Sequence, residues 1–349
     1  MTEPEQPIAR AIAALAASRP LGEGLTTAAF EQLMRGEATS VQAAALLTGL
    51  RVKGETAEEI AGAVHALRGA MLRVPIPPDW KVIDTCGTGG GAVSTFNVST
   101  AAALVAVAAG APVAKHGNRS FTSKCGSADI AEALGLPVQL EPRAAAQVLE
   151  ADGMVFLFAP LYHPAMRFVA PVRRELAIPT VMNLIGPLAN PAGVRRQVIG
   201  VADPARGPLL AHALCRLGAE HALVVHAQVG MDEIAPAGPT SVWEVVDREV
   251  HPWTLDPGDY GLEEDHLEAL AGGDPAHNAE RIRRLLAEPR RDRVGRATVL
   301  LNAGAGLYVA GLASSLREGV ERSATALDEG RAARTLERLA ERARLSTSA

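Results

Sequence analysis

Residues 81–110, KVIDTCGTGGGAVSTFNVSTAAALVAVAAG, place glycine at four of the five positions from Gly87 to Gly91. The glycines stand between a short apolar strand and a helix of small residues. Strand, bare loop and helix in that order form the opening unit of a parallel sheet, and the same grammar recurs downstream. APVAK precedes the helix SADIAEALG, and further strands are read in GMVFLFA, QVIGVAD and HALVVHA. Strands alternating with helices imply a mainly parallel sheet flanked by helices, with active loops at the C-terminal strand ends. The composition agrees: 48% of the 349 residues are hydrophobic and only 3% aromatic, as suits alanine-rich helices packed on such a sheet.

The first 72 residues read as helices only. TTAAFEQLMRG, TSVQAAALLTGLRVKG and TAEEIAGAVHALRGAML each start at threonine, and the last carries Glu58 and Glu59 in its first turn. RVPIPPDW then breaks the helical pattern. The expected organisation is a small all-helical domain over residues 1–75, with helices from about 164–186 packing on it, and a large α/β domain over residues 76–349. SLREGVERSATALDEGRAARTLERLAERARL closes the chain as one or two amphipathic helices.

A net charge of −5 gives no electrostatic footprint for nucleic acid or an anionic membrane. The arginines at 290, 291, 293 and 296 read as a solvated face. Cys86, Cys125 and Cys215 have unrelated spacings, so neither a disulfide framework nor a zinc site follows, and a reducing cytoplasm is the expected setting. The acidic start MTEPEQ does not read as a secretory signal. No segment reaches the roughly 18 apolar residues of a membrane span.

GTGGGA fits a dinucleotide fingerprint in form, but that motif needs an acid about 20 residues on, where this chain has Lys115. A Walker loop is excluded because no Gly-Lys-Ser/Thr follows. A tight turn would need one or two glycines. Four of them, followed by Thr95, Asn97, Ser99 and Thr100, point to an anion held by exposed amides and hydroxyls. A second loop, KHGNRSFTSKCGSAD, adds Lys115, Arg119 and Lys124 as charges and Ser120, Thr122, Ser123 and Ser127 as donors. One phosphate would not need so many; a diphosphate plus a monophosphate would.

In GMDEI, Asp232 and Glu233 follow the strand HALVVHA. Adjacent acids without Cys or His suit a hard cation such as Mg²⁺ on substrate phosphates. If PAMRFVAPVRREL is helical, Arg173 shares a face with Met166, Val169, Ala170 and Leu176. An arginine on an apolar stripe needs an anion, either an internal acid or a substrate carboxylate. His163, just before this helix, can cap it, line a pocket or fill space.

Taken together, RVKGETAEEIAG, GTGG…STFNVST, KHGNRS…SKCGSAD, HPAMR, VAPVRREL, NLIGPLANPAG, GMDEI and GGDPAHNA resemble the anthranilate phosphoribosyltransferase family along nearly the whole chain. The resemblance implies a fold of the nucleoside phosphorylase/phosphoribosyltransferase kind and an active site in the cleft between the two domains. It implies transfer of the phosphoribosyl group of 5-phosphoribosyl-1-diphosphate (PRPP) to anthranilate in tryptophan biosynthesis, with Mg²⁺, and a homodimer joined through the N-terminal helices. Gly87, Gly90, Gly91, Thr95, Asn97, Val98, Ser99 and Thr100 would then hold diphosphate. Lys115, His116, Gly117, Asn118, Arg119, Ser120, Phe121, Thr122, Ser123 and Ser127 would hold the rest of PRPP. Ser99 with Glu233, and Asp232 with Glu233, match the ligands of two metal ions. Gly87, Asn118 and Arg173 match anthranilate-binding positions, with His163 and Pro187 along its entry channel. Lys115, Arg119 and Arg173 are the expected catalytic side chains.

The chain departs from the family's Gly-Thr-Gly-Gly-Asp-Gly loop in having Gly91 and Ala92, which implies tolerance of high Mg²⁺. Ala177 replaces a common Gly, and Pro179 and Met182 replace a common Arg and Phe. Two rivals are a pyrimidine nucleoside phosphorylase-like enzyme, whose loops differ from KHGNRS, and a non-catalytic nucleic-acid-binding relative, which calls for a basic surface.

Overall fold

The computed structural model describes residues 6–93, 95–120 and 124–346. Four helices come first: α1 (Pro7–Ala16), α2 (Gly22–Met34), α3 (Ser40–Lys53) and α4 (Ala57–Gly69). Two of the threonine signals are caps. Thr39 and Gln42, and Thr56 and Glu59, form reciprocal capping boxes that satisfy the first free amides of α3 and α4. The third is not a cap: α2 begins earlier, and Thr26 and Thr27 lie inside it, their hydroxyls donating to the carbonyls of Gly22 and Glu23.

The α/β part then runs β1 (Ile83–Gly87), α5 (Val98–Ala108), β2 (Val113–Gly117), α6 (Ser127–Leu134), α7 (Pro142–Asp152), β3 (Met154–Phe158), the single turn α8 (Ala159–Tyr162), α9 (Ala170–Leu176) and α10 (Val181–Ile185). It continues with β4 (Arg196–Gly200), α11 (Arg206–Arg216), β5 (His221–Ala227), β6 (Thr240–Val246), β7 (Glu249–Leu255), α12 (Pro275–Ala287), α13 (Arg293–Val309), α14 (Leu316–Asp328) and α15 (Arg331–Ser346). Among the described residues seven strands form one sheet in the order β3-β2-β1-β4-β5-β6-β7. Strands β1 to β5 are parallel, and β6 and β7 extend the edge as an antiparallel hairpin. The order reverses direction between β1 and β4, the place where an open α/β sheet leaves a crevice beyond its carboxyl ends.

The faces of the sheet are covered differently. Ile83, Val113, Val198 and Leu223 pack with α5 and α13 in one core. Helix α5 is apolar all round and buried from Val98 to Val107 except for Ser99, as a helix enclosed on every side must be. On the opposite face Ile199, Val224 and Val245 share a core with Phe30, Leu46 and Ile60 of the first helices. Val172, Val181 and Ile185 of α9 and α10 belong to that same core. The N-terminal helices thus complete the covering of one sheet face.

The stretch 164–176 is not one helix. A 3₁₀ turn spans Pro164–Phe168, and α9 starts afresh with Pro171 in its first turn, where its missing N–H costs nothing. The register shift leaves Ala170 exposed, off the expected apolar face, while Arg173 stays half-buried. Helix α9 ends at Ala177 in the left-handed conformation, φ 52°. A side chain there costs about 1–2 kcal/mol. Ala177→Gly should therefore raise the free energy of unfolding by about 1 kcal/mol in urea titration. A loss of stability would show that this backbone conformation carries no strain.

Candidate active site at the strand ends

Asp232 sits at the centre of the strand ends, in the turn after β5. Its carbonyl oxygen lies where a side chain on Gly200, the last residue of β4, would begin: a Cβ built there falls 1.5 Å away. Its carboxylate accepts the amide of Gly89 at 3.0 Å. Cβ atoms built on Gly87 and Gly91 would lie 2.7 and 3.0 Å from that carboxylate. Part of the glycine run therefore answers an internal demand, room for Asp232. The open backbone is at Gly89 and Gly90, which have positive φ and nothing near a built Cβ.

Glu233 accepts the Thr95 hydroxyl on Oε1 at 3.1 Å, while Oε2 is enclosed and has no partner. Burial, and then the neighbouring Asp232, pushes its carboxyl up to about 8; burial also raises Asp232. Lys115, at the end of β2, is 1% exposed. Its Nζ donates to the Thr85 carbonyl at 2.5 Å and to Ser99 Oγ at 3.1 Å, and burial draws it below the usual lysine range. The structure thus brings Lys115, Ser99, Thr95, Asp232 and Glu233 together. Two carboxylates and a hydroxyl are hard oxygen donors too few to enclose a cation, and an enclosed acceptor without a partner favours one that brings further oxygens with it. These residues fit Mg²⁺ carried on a phosphorylated substrate.

Helix α5 starts without a side-chain cap; the Thr100 amide goes to the Asn97 carbonyl at 3.0 Å, which leaves the amides of Val98 and Ser99 as its first-turn donors. Asn97 precedes it in the left-handed conformation, φ 64°. Its side chain donates to the Cys125 carbonyl at 3.2 Å and accepts from Asn278 at 2.9 Å. Asn278 also takes the amide of Gly273 at 2.7 Å. The GGDPAHNA motif is thus the buttress of the first loop, a role its sequence alone does not reveal.

In the second loop, Ser127 holds the base: its Oγ accepts the Asn118 amide and donates to the Asn118 carbonyl, both at 3.2 Å. A Cβ on Gly117 would collide with it at 2.1 Å. The Ser120 amide points to Asp129 at 3.4 Å. Arg119 does not join the acid pair. Its guanidinium pairs with Asp129 at 2.8 Å and Glu132 at 2.7 Å on α6, which holds it on the outer side of the loop. Phe121, Thr122 and Ser123 lie outside the described residues. Lys124 is exposed.

His116 and His163 meet in the interior, Nε2 to Nε2 at 3.2 Å, so one ring donates its proton to the other. Burial pushes them down to about 3 and about 4, so the pair is neutral. Beneath it, buried Asp84 accepts the His116 amide at 3.3 Å and the Asn190 side chain at 2.8 Å. Asn190 also donates to the Ala114 carbonyl at 2.7 Å. Neither Asp84 nor Asn190 was singled out by sequence, although both lie within quoted motifs. Pro187 lies half-buried nearby, its carbonyl accepting from Gln197 at 2.9 Å. The guanidinium of Arg173 has no hydrogen-bond or ion-pair partner among the described residues, and burial lowers it from the usual arginine range.

Known proteins match this chain over nearly all its length. Residues 9–71 match the helical bundle domain and residues 79–333 the a/b domain of a glycosyl transferase family. Anthranilate phosphoribosyltransferase of Rubrobacter xylanophilus is 49% identical over 93% of this chain and 94% of its own. That of Roseiflexus castenholzii is 46% identical over 95% and 97%. The crystal structure of the Thermus thermophilus enzyme superposes with a TM-score of 0.89 at 43% identity, covering 96% of this chain and 99% of its own. The Saccharomyces cerevisiae enzyme in complex with PRPP and Mg gives 0.85 at 28% identity, covering 97% and 98%.

The histidine pair gives the site a pH signature. Below about pH 6.5 the unfolded chain takes up protons that the folded pair refuses, so stability falls with pH until the folded values near 4 are reached. The slope is about 1.4 kcal/mol per pH unit for each histidine. Asp84, raised to about 6 by burial, contributes the opposite slope, so the readout is a difference. Stability of His163→Gln, measured by denaturant titration from pH 6.5 to 4.5, should fall less steeply than that of the parent by about one histidine's slope. Equal slopes would mean that His163 protonates freely in the folded state.

Proposed function

This chain belongs to the anthranilate phosphoribosyltransferase family, and from that premise we propose which of its residues carry the reaction. The enzyme transfers the phosphoribosyl group of PRPP to the amine of anthranilate, releasing diphosphate, in tryptophan biosynthesis. The observation that carries the residue assignment is the enclosed, unpartnered Glu233 Oε2 beside a hydroxyl, Ser99, that buried Lys115 holds in place. A phosphate-bound cation satisfies the first and the amides of the neighbouring loop suit its anion.

The diphosphate lies along Gly87, Gly89, Gly90, Gly91, Thr95 and the start of α5, and the phosphoribosyl group along Lys115 to Ser120 with Ser127. Ser99, Asp232 and Glu233 would hold Mg²⁺, with Ser99 and Glu233 the ligands of one ion and Asp232 and Glu233 those of a second, and the metal would supply positive charge toward the diphosphate. Lys115 adds fixed positive charge beneath the leaving group, in surroundings where it is poorly screened. An aromatic amine is neutral at pH 7, and the neutral histidine pair offers no strong base, so the chain's contribution is alignment of the amine with the anomeric carbon. Arg173 reads the anthranilate carboxylate with its planar fork, and Gly87, Asn118, His163 and Pro187 border the acceptor. Arg119 serves the second loop through Asp129 and Glu132 rather than the leaving group.

A homodimer through the first helices is the proposed assembly. It is supported by Val41 and Val52, 79% and 81% exposed on one stripe of α3, a surface that a second copy would cover. A cytoplasmic setting is proposed as well, as suits a biosynthetic enzyme with three free cysteines. Among the described residues no helix is long and apolar enough to cross a membrane.

Anthranilate is fluorescent, so turnover is read directly as loss of signal that requires both PRPP and Mg²⁺. In that assay Arg173→Ala should raise the anthranilate KM by about 10- to 100-fold, the worth of a charge-assisted hydrogen bond, and the PRPP KM much less. Equal increases would remove Arg173 as the carboxylate reader. Gly91→Asp brings a third acid against Asp232, and should introduce inhibition at high Mg²⁺ that the parent lacks. Superimposable Mg²⁺ profiles would discard that role for Gly91.

A further inference from the structure

Helix α13 runs through the main core, and Val299, Leu300, Leu301, Ala303 and Ala305 are at most 1% exposed. In the middle of this apolar run stands Asn302, 6% exposed. A carboxamide buried there must find partners for its donors and its acceptor. Its Oδ1 accepts the amide of Ile234 at 3.1 Å, and its Nδ2 donates to the carbonyl of the same residue at 2.8 Å. The remaining N–H goes to the Thr298 carbonyl at 2.8 Å. One side chain therefore satisfies both main-chain groups of a residue far away in sequence, as a neighbouring strand would.

That residue directly follows Glu233. Among the described residues the turn after β5 has one bridge of its own, Ala227 to Met231, and one main-chain bond from the glycine loop, the Ala92 amide to the Gly230 carbonyl at 2.9 Å. From the loop side it is tied by the Gly89 amide on Asp232 and the Thr95 hydroxyl on Glu233. From the helix side the tie is Asn302, which also borders, with Ser99, Asp232 and Glu233, a water-sized cavity. We propose that Asn302 is the positioning residue of the acid pair: by clamping both main-chain groups of Ile234 it fixes where Glu233 presents its carboxylate to a divalent cation. Glutamine would be one methylene too long for the clamp, and leucine would fill the volume without the bonds. This inference rests on the reading of Asp232 and Glu233 as the residues that hold Mg²⁺.

The test uses the full-length enzyme, with PRPP binding followed by calorimetry at graded Mg²⁺ and rates measured alongside. Asn302→Ala should raise the Mg²⁺ needed for half-maximal PRPP binding by about 10-fold, the usual cost of removing a partner that orients a metal ligand. The anthranilate KM should stay at the parental value. A merely structural asparagine would lower the active fraction and leave both saturation curves in place. Should Asn302→Ala not fold, the near-isosteric Asn302→Leu keeps the packing and decides by the same measurement. Glu233→Gln runs in parallel. If it leaves the Mg²⁺ requirement unchanged, the metal reading itself falls. If it raises the requirement while the Asn302 variant keeps the parental one, the positioning role of Asn302 is overturned.

Discussion

Two adjacent carboxyl groups drawn into the protein at one strand end are the constraint on which this site depends. Burial raises both Asp232 and Glu233 above the ordinary carboxylate range, because neither charge is cheap away from water, and Asp232 raises Glu233 further. The surroundings offset that cost in part. The Gly89 amide and the Thr95 hydroxyl each give one hydrogen bond, and Lys115 lies close enough to favour the ionised form of Glu233. What is left unsatisfied is a strong acceptor, Glu233 Oε2, enclosed and without a partner among the described residues. A site with its own charges fully matched would have no reason to hold a cation; this one keeps an acceptor in reserve.

Holding that arrangement requires main chain to approach main chain where strands end and ladders stop. Glycine supplies the room: at position 200 any side chain would occupy the place of the Asp232 carbonyl. Asparagine supplies the fastening. Asn190 ties Asp84 to the carbonyl of Ala114, Asn278 ties Asn97 to Gly273, and Asn302 ties both groups of Ile234. A carboxamide carries donor and acceptor without charge, so it can be buried among apolar helices at lower cost than an acid or an amine. Irregular loops thereby acquire the hydrogen-bond accounting that regular strands receive from their neighbours.

The five parallel strands and helices α5 and α6 were legible because each carries its own periodicity and punctuation, whereas α7 and α11 between later strands were passed over. The sequence does not announce the hairpin of β6 and β7, because the apolar residues of TSVWEVV fall on both faces, Val242 in one core and Trp243 and Val245 in the other. Its two-residue turn is Asp247-Arg248, with φ of 52° and 65°, where the usual signal for such a turn is Asn-Gly or Asp-Gly. Pro252 on the edge strand further masks it. Helix α9 was misread at its start for a related reason: an apolar spacing continuous from Met166 to Leu176 does not show that the backbone changes from 3₁₀ to α between them. Of the site, residue types in loops were legible, since glycines, hydroxyls and paired acids advertise their chemistry. Partners were not. That Arg119 turns to Asp129 and Glu132, or that Asp232 fills the space beside Gly87, depends on where the loops lie relative to one another, which local spacing does not encode.

On the proposed assignment the two substrates are read from different layers, and the link between the layers is itself polar and buried. Lys115, Ser99 and the acid pair stand on the sheet. Arg173 stands on α9, whose apolar residues share a core with the first helices. Arg68 on α4 crosses between them: its Nε and Nη2 both donate to the carbonyl of Leu188, at 2.9 and 2.7 Å. Two residues on, Asn190 donates to Asp84, and Asp84 accepts the amide of His116 at the root of the second loop. Burial draws Arg68 down to about 10, still far above neutrality, so it keeps its charge, with the Leu188 carbonyl its one hydrogen-bond acceptor among the described residues. A guanidinium is suited to that place because it is weakly hydrated and its fork grips one oxygen from two nitrogens. The helical layer is therefore joined to the phosphate loops by directed bonds as well as by apolar contact. Directed bonds thus run from α4 through Leu188, and through Asn190 two residues on, to Asp84 and the His116 amide, where apolar packing alone would fix neither distance nor direction.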